Sequence, residues 1–260
     1  MSAAAPLLAI DAIGIRFGGL AAVQEFSLNM PEGSLYGLIG PNGAGKTTVF
    51  NLLTGVYHTQ SGTMRLQGCD LAGCPPHQIT RAGLARTFQN IRLFGDLSVL
   101  DNVMLACQLR ARNRLVGTLL RSRTSIGEEA AIKQRSLELL DLFELRPRAD
   151  EPAQSLPYGH QRMLEIVRAL ATQPKVLLLD EPAAGMNSGE KRQLAQTIER
   201  IRDQFQLAIL LIEHDMELVM EICEQITVLD HGVTIAAGPP EAIQRDPKVI
   251  EAYLGVADDE

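Results

Sequence analysis

The sequence predicts an α/β fold, a mixed-sheet core with an antiparallel β subdomain and a helical insertion. Three observations carry that prediction. A short apolar run, Leu35 to Ile39, stops at Gly40-Pro41-Asn42-Gly43-Ala44-Gly45-Lys46-Thr47, which fits the phosphate-loop pattern G-x-x-x-x-G-K-[ST]. Two further apolar runs, over 175–179 and 207–212, read as parallel-sheet strands buried on both faces, and each ends in polar residues. Between the loop and these runs, from Ser98 onward, the pattern changes to long helical periodicities.

The spelling of the loop follows from phosphate chemistry. Glycine at 40, 43 and 45 lets successive N–H groups turn inward as a concave nest for phosphate oxygens. A helix opening near Lys46 adds the positive end of its dipole, and Thr54-Gly55 supplies its stop. Lys46 reaches the β- and γ-phosphates as a point charge, and the Thr47 hydroxyl is placed to ligate Mg²⁺.

At 260 residues the chain holds one large or two small domains with a full apolar core. Lys and Arg number 24 against 31 Asp and Glu, a formal charge of −7, so no global electrostatic pull toward nucleic acid exists and no such partner is expected. Cys69, Cys74, Cys107 and Cys223 are scattered without metal-ligand spacing and read as reduced thiols. No apolar run approaches the roughly 18 residues needed to cross a bilayer, and the N-terminus lacks a basic region before its apolar stretch. If the protein works at a membrane, it docks there through a partner.

In chain order, 7–17 and 22–28 alternate as two strands around Gly18-Gly19, followed by the loop strand at 35–39. Residues 63–67 form a further strand candidate, 75–82 a short helix with proline in its first turn, and 84–88 an extended segment that delivers Gln89 to a loop. Ser98-Val99-Leu100-Asp101 has the form of a capping box before a helix to about Leu109, and 126–143 carries a second helix. Between them Arg110, Arg112, Arg114, Arg121 and Arg123 form a basic patch, read as a solvated loop or as a contact for acidic headgroups or an acidic partner loop. A helix over 160–172 leads to the 175–179 strand. Asn187 or Ser188 caps a helix to about Phe205, and strands over 226–229 and 233–237 turn through Asp230-His231-Gly232. The tail from 240 to 254 reads as helical.

Asp180 ends an apolar strand, at the edge where a parallel sheet presents its ligands, and suits an Mg²⁺ held beside Thr47. Glu181 follows it and can polarise a water that attacks the γ-phosphorus. His214 repeats the arrangement at the end of 207–212, where an imidazole can donate to the γ-phosphate or orient that water.

The order of Phe17, the phosphate loop, Gln89, Leu156-Pro157-Tyr158-Gly159-His160-Gln161-Arg162, LLLDEP at 177–182, and His214 resembles the nucleotide-binding subunit of an ABC transporter over nearly the whole chain. RFGGLAAV at 16–23, TFQNIRLF at 87–94, LPYGHQR at 156–162, DEPAAGMN at 180–187, LLIEHDM at 210–216 and AYLG at 252–255 are similar to one branch, the ATPases of bacterial branched-chain amino acid importers.

The resemblance implies one P-loop NTPase domain of the ABC ATPase fold over 1–260, with its nucleotide-binding core in 1–90 and 166–260 and a helical subdomain over about 91–165. It gives Phe17 an adenine-stacking role, adds Val23 and Thr48 to the nucleotide contacts, and makes Gln89 a sensor of Mg²⁺ and γ-phosphate. Glu181 becomes the catalytic base and His214 the switch histidine, with Lys46 and Gln89 counted among the catalytic groups. Tyr158, Gly159 and His160 stand in the signature segment, which contacts nucleotide held by an opposite subunit. ATP and Mg²⁺ are the implied ligands. The implied partners are a second ATPase, two membrane-spanning permease subunits and, indirectly, a solute-binding protein, at the cytoplasmic face of the bacterial inner membrane.

This sequence departs from the family signature LSGGQ at Pro157 and Tyr158, and from the usual SALD at Ala184-Gly185-Met186-Asn187. Both departures concern the site that this chain completes for a partner, so a heterodimer is expected. Leucine, isoleucine and valine are the solutes the resemblance favours, with other amino acids, amides or urea open. Two other readings remain. A soluble ABC ATPase in nucleic-acid or translation work usually shows tandem cassettes, a coiled-coil insertion or a basic surface; a regulatory module would bind ATP without turnover. A small G protein is opposed by the lack of an N-K-x-D motif.

Overall fold

The computed structural model describes residues 5–110 and 123–254. They divide into two compact units, one built from the chain up to Arg86 and from Lys175 on, the other from Thr87 to Pro174. The helical insertion expected over about 91–165 lies within this second unit, which begins four residues earlier and ends nine later.

In the first unit, β1 (Leu8–Phe17) and β2 (Leu20–Met30) form an antiparallel hairpin. Ala12 takes a left-handed backbone at φ 48°, where the β1 register slips, and this bulge lets Leu8, Ile10, Ile13 and Ile15 all turn into the core. After β3 (Leu35–Ile39) and helix α1 (Lys46–Leu53), the chain adds β4 (Ser61–Leu66), which pairs with β1. The strand expected over 63–67 ends one residue early. Gln67 and Gly68 both adopt positive φ and turn the chain into a two-residue strand, β5 (Cys69–Asp70), too short to leave a periodic signal. These four strands make an antiparallel sheet of order β2-β1-β4-β5.

The second sheet of this unit gathers β3 with β6 (Leu84–Arg86), β7 (Val176–Asp180), β8 (Ala208–Ile212), β9 (Gln225–Asp230) and β10 (Val233–Gly238) in the order β10-β9-β3-β8-β7-β6. All pairings are parallel except that of the edge strand β10. Every residue of β7 and β8 is buried, the burial on both faces that their continuous apolar spelling predicts. Phe26 of β2, Phe50 of α1, Leu38, Leu178 and Leu210 belong to one continuous core, so the two sheets share it.

The second unit is helical. The helix α3 (Val99–Cys107) packs against α4 (Arg123–Leu142) and α5 (Tyr158–Ala171), and α2 (Pro76–Ala82) belongs to the first unit. Ser98 accepts the Asp101 N–H at 3.0 Å and caps α3, as its spelling predicts. The fully buried Asn102 fixes the approach to this helix: its side chain accepts the Phe94 N–H and donates to the Phe94 and Ser98 carbonyls, all at 3.0 Å. Of the basic patch, Arg110 donates to the Thr172 and Gln173 carbonyls at 2.8 and 3.2 Å, whereas Arg112, Arg114 and Arg121 and the Arg123 side chain lie outside the described residues.

Back in the first unit, Asn187 caps α6 (Ser188–Phe205) with a complete capping box to Glu190. A helix that the sequence reading passed over, α7 (Met216–Ile222), follows β8 and is capped by Asp215. Its seven residues are too few for a helical period to stand out. The helical tail is two helices, α8 (Pro240–Ile243) and α9 (Pro247–Leu254), because a proline at 247 restarts rather than continues a helix. No helix among the described residues is long and apolar enough to cross a membrane.

Candidate active site

The turn from β3 into α1 is shaped by backbone constraints that only glycine meets at its tightest points. A Cβ on Gly40, at φ 148°, would stand 2.0 Å from the Leu229 carbonyl oxygen, and one on Gly45, at φ 105°, 2.7 Å from that of Ala22. Further backbone bonds brace the turn: Gly232 N–H donates to the Ala44 carbonyl at 2.9 Å, and Gln24 N–H to the Gly232 carbonyl at 2.7 Å. Gly45 is the N-cap of α1 and brings no side-chain acceptor, so the first amides of that helix face the cleft without a local partner from the cap.

Above this turn lies an open cleft of about 190 Å³, lined by Asn42, Gly43, Ala44, Gly45, Lys46, Thr47, Thr48, Glu181 and His214. Three segments expected to act together therefore meet in one place, the loop after β3 and the ends of β7 and β8. Lys46 is buried at its base, where the ammonium donates to the Gly40 and Pro41 carbonyls at 2.6 and 2.9 Å. Burial pushes its pKa below the ordinary lysine value, while Glu181 and Asp180 pull it back up.

Glu181 and His214 face each other across the cleft, with Oε1 and Nε2 3.0 Å apart. A carboxylate only accepts hydrogen bonds, so this contact assigns the imidazole proton to Nε2. Glu181 holds a left-handed backbone at φ 48°, a conformation costly for a residue with a Cβ and found where a structure must aim a side chain. Its N–H donates to the Ile212 carbonyl at 2.9 Å.

Asp180 is placed differently from the other expected residues. It is buried at the end of β7, and its Oδ2 receives the Arg86 Nη2 at 2.7 Å. Arg86 Nη1 also donates to Asn51 Oδ1 at 2.7 Å, which joins β6, α1 and β7 beneath the cleft. Arg86 drew no attention in the sequence, since a lone arginine at a strand end carries no motif.

Phe17 stands half-exposed at the end of β1, edge-on to Tyr57 with ring centres 5.1 Å apart. Val23 lies in the core at 1% exposure, its side chain packed against Gly45 of the loop. From the far end of the chain Tyr253 meets the loop, its phenol oxygen accepting the Gly40 N–H; burial pushes its pKa above the ordinary value. Glu213, one residue before His214, is buried, and burial followed by the charge of Glu181 pushes its carboxyl upward, against three backbone N–H donors that lower it.

The second unit carries Gln89, Tyr158, Gly159 and His160. Pro157 is the N-cap of α5 and gives no side-chain cap, so the first turn of that helix opens without the hydroxyl that a serine would supply. Arg162 joins two of the expected segments: it donates to the Tyr158 hydroxyl at 2.8 and 3.1 Å, to the Phe88 carbonyl at 2.8 Å, and to the Gln89 carbonyl. Glu165 accepts the Phe88 and Arg92 N–H groups from the same helix, and burial pushes its pKa up.

Comparison with known proteins agrees with this geometry. The ABC transporter family matches residues 23–184, and the branched-chain amino acid ATP-binding cassette transporter family matches residues 233–259. The chain is 45% identical to the high-affinity branched-chain amino acid transport ATP-binding protein LivG of Salmonella typhimurium, covering 97% of this chain and 99% of that protein. It is 42% identical to BraF of the same description from Pseudomonas aeruginosa, again over 97% and 99%. Among solved structures, a nucleotide-free ATP-binding cassette from an ABC transporter superposes with a TM-score of 0.83 at 27% identity, covering 96% of this chain and 99% of that one. An ATP-binding cassette of an ABC transporter in its ADP conformation gives the same values. The chain belongs to the ABC transporter ATP-binding family, in the branch of the branched-chain amino acid transport ATPases.

Proposed function

We propose that this chain is the ATP-hydrolysing subunit of an importer for branched-chain or related amino acids, bound peripherally at the cytoplasmic face of a membrane through permease subunits. The observation that carries the catalytic reading is the Glu181–His214 pair, 3.0 Å apart in the same cleft as the phosphate loop. The relatives' names supply the solute class.

ATP is the substrate. The loop amides and Lys46 take its phosphates, and the Lys46 ammonium exchanges its two carbonyl partners for phosphate oxygens. A water placed beside Glu181 gives its proton to the carboxylate as its oxygen bonds the γ-phosphorus, and the bond to the β-phosphate oxygen breaks to leave ADP. His214 holds the Glu181 carboxylate from one side and orients it. The resemblance assigns Phe17 to the adenine and Tyr158, Gly159 and His160 to nucleotide on the opposite ATPase.

Mg²⁺ fits the donor chemistry. It keeps several waters and takes one or two protein oxygens together with phosphates; the Thr47 hydroxyl lines the cleft and would be one, whereas the Asp180 carboxylate is held by Arg86 at 2.7 Å and would act through water, with Gln89 added by resemblance alone. No group of three or more His, Cys, Asp or Glu among the described residues is placed to hold a metal by itself. When bound, the ion neutralises charge developing on the phosphate oxygens.

Pro157 and Tyr158 weaken the signature that this chain presents to a partner, which favours a second, different ATPase completing the Lys46 site. The deciding experiment reconstitutes the chain with its copurifying membrane subunits in lipid vesicles and follows phosphate release and uptake of labelled leucine, isoleucine and valine. ATP-dependent uptake lost with Lys46→Ala supports the reading; uptake that persists overturns it. Chain purified alone that forms ATP-locked homodimers with full turnover refutes the heterodimer.

A further inference from the structure

The ends of β7 and β8 carry the two facing side chains, yet neither Glu181 nor His214 lies within its strand. Past Asp180 and Ile212 the parallel ladder stops, and the next N–H groups have to find other acceptors or remain buried without one. Glu213 supplies them. Its side chain is 4% exposed, its Oε1 accepts the Ala183 N–H at 2.6 Å, and its Oε2 accepts the His214 N–H at 3.1 Å. The Asp215 N–H also donates to it.

One carboxylate therefore ties the backbone two residues after Glu181 to the backbone of His214 itself. On the near side of the same turn, Glu181 N–H is bonded to the Ile212 carbonyl, and Ala184 N–H closes back on the Glu181 carbonyl at 3.2 Å. Glu181 is thus bracketed, held at its own N–H by residue 212 and at residue 183 by the side chain of residue 213. Its left-handed backbone, unfavourable alone, persists because this bracket over-determines it. A buried carboxylate is costly unless its oxygens are filled, and filling them with these amides makes Glu213 a clamp of fixed geometry.

We propose that Glu213 is a positioning residue for hydrolysis: by clamping the Ala183 and His214 amides it fixes the reach of Glu181 to His214. It does not line the cleft, and its effect is carried through the two residues it aligns. The inference rests on Glu181 and His214 acting in hydrolysis, as proposed above.

The test uses Glu213→Gln in the full chain assembled with its membrane subunits. Glutamine keeps the shape, but its amide NH₂ has to face either the Ala183 or the His214 N–H, donor against donor, so one bond is lost. The expected result is a fall in kcat of about ten- to a hundredfold, with KM and Kd for ATP within about twofold of wild type, because the phosphate loop is untouched. In wild-type protein, amide exchange followed by NMR should find the Ala183 and His214 N–H groups strongly protected. Wild-type kcat in Glu213→Gln, a parallel loss of ATP affinity and kcat, or fast exchange of those amides would each overturn the inference. Should the variant not fold, the wild-type exchange measurement alone decides. Wild-type protein that binds ATP but releases no phosphate would instead overturn the hydrolytic reading, which separates the two failures.

Discussion

Glu181 Oε1 and His214 Nε2 lie 3.0 Å apart, although 33 positions separate the two residues along the chain. They meet because β7 and β8 are parallel neighbours, with Asp180 opposite Ile212, so the first polar residues beyond each strand emerge on the same edge. The pair sets a carboxylate and an imidazole side by side in the cleft of the phosphate loop.

Glu181→Gln should therefore keep ATP and stop cleaving it. General-base catalysis is worth about 10²- to 10⁴-fold, and kcat should fall by that order while ATP affinity stays within about threefold. Single-turnover phosphate release beside equilibrium ATP binding checks both halves. Turnover at the wild-type rate would remove Glu181 from its role.

Lys46→Ala should abolish the response to nucleotide. Binding stabilises a folded protein in proportion to the logarithm of ligand over Kd, so ATP should raise the melting temperature of wild type by several degrees and leave the variant unmoved. An ATP-induced shift that survives in Lys46→Ala would place the phosphates elsewhere.

Arg86→Met should destabilise the fold itself. The Arg86–Asp180 pair is almost fully buried at 2.7 Å, and removing one partner of such a pair costs about 3–5 kcal/mol. Urea unfolding should show the loss as a lower midpoint at unchanged slope. A loss under about 1 kcal/mol would mean that Asp180 is held mainly by other groups.

Asp215→Ala should cost about 1 kcal/mol at neutral pH, since Asp215 caps α7 through the Leu218 N–H at 3.1 Å. The hydrogen bond from Lys191, at 2.5 Å, and then that from Leu218 hold its carboxyl below the ordinary 3.8. A depressed folded pKa means that the stabilisation is fully present above pH 3.8 and is lost as pH falls through the depressed value. Melting temperatures of wild type and variant should accordingly converge toward strong acid and diverge above it. A gap that widens in acid would contradict this sign.

Local sequence determined the longer elements and most of the cleft, but not β5, α7 or the break between α8 and α9. The strand-loop-helix around Lys46 was legible because a glycine nest and an apolar strand leave signatures within a few residues, and β7, β8 and the presence of a cap at the start of α6 were legible for the same reason. Asp180, Glu181 and His214 announced themselves by ending apolar strands. Tertiary structure decided what depends on contacts between distant segments: that Arg86 takes Asp180, that Val23 backs the loop from within the core, and that Tyr253 reaches Gly40. It also decided that Glu213 clamps Ala183 and His214, a role invisible in the spelling because the run Glu213-His214-Asp215 reads as surface charge until strand pairing buries its first residue. Propensity and period act over neighbouring residues, whereas the partner of a buried charge is chosen by strand order and register, which bring together groups far apart in the chain.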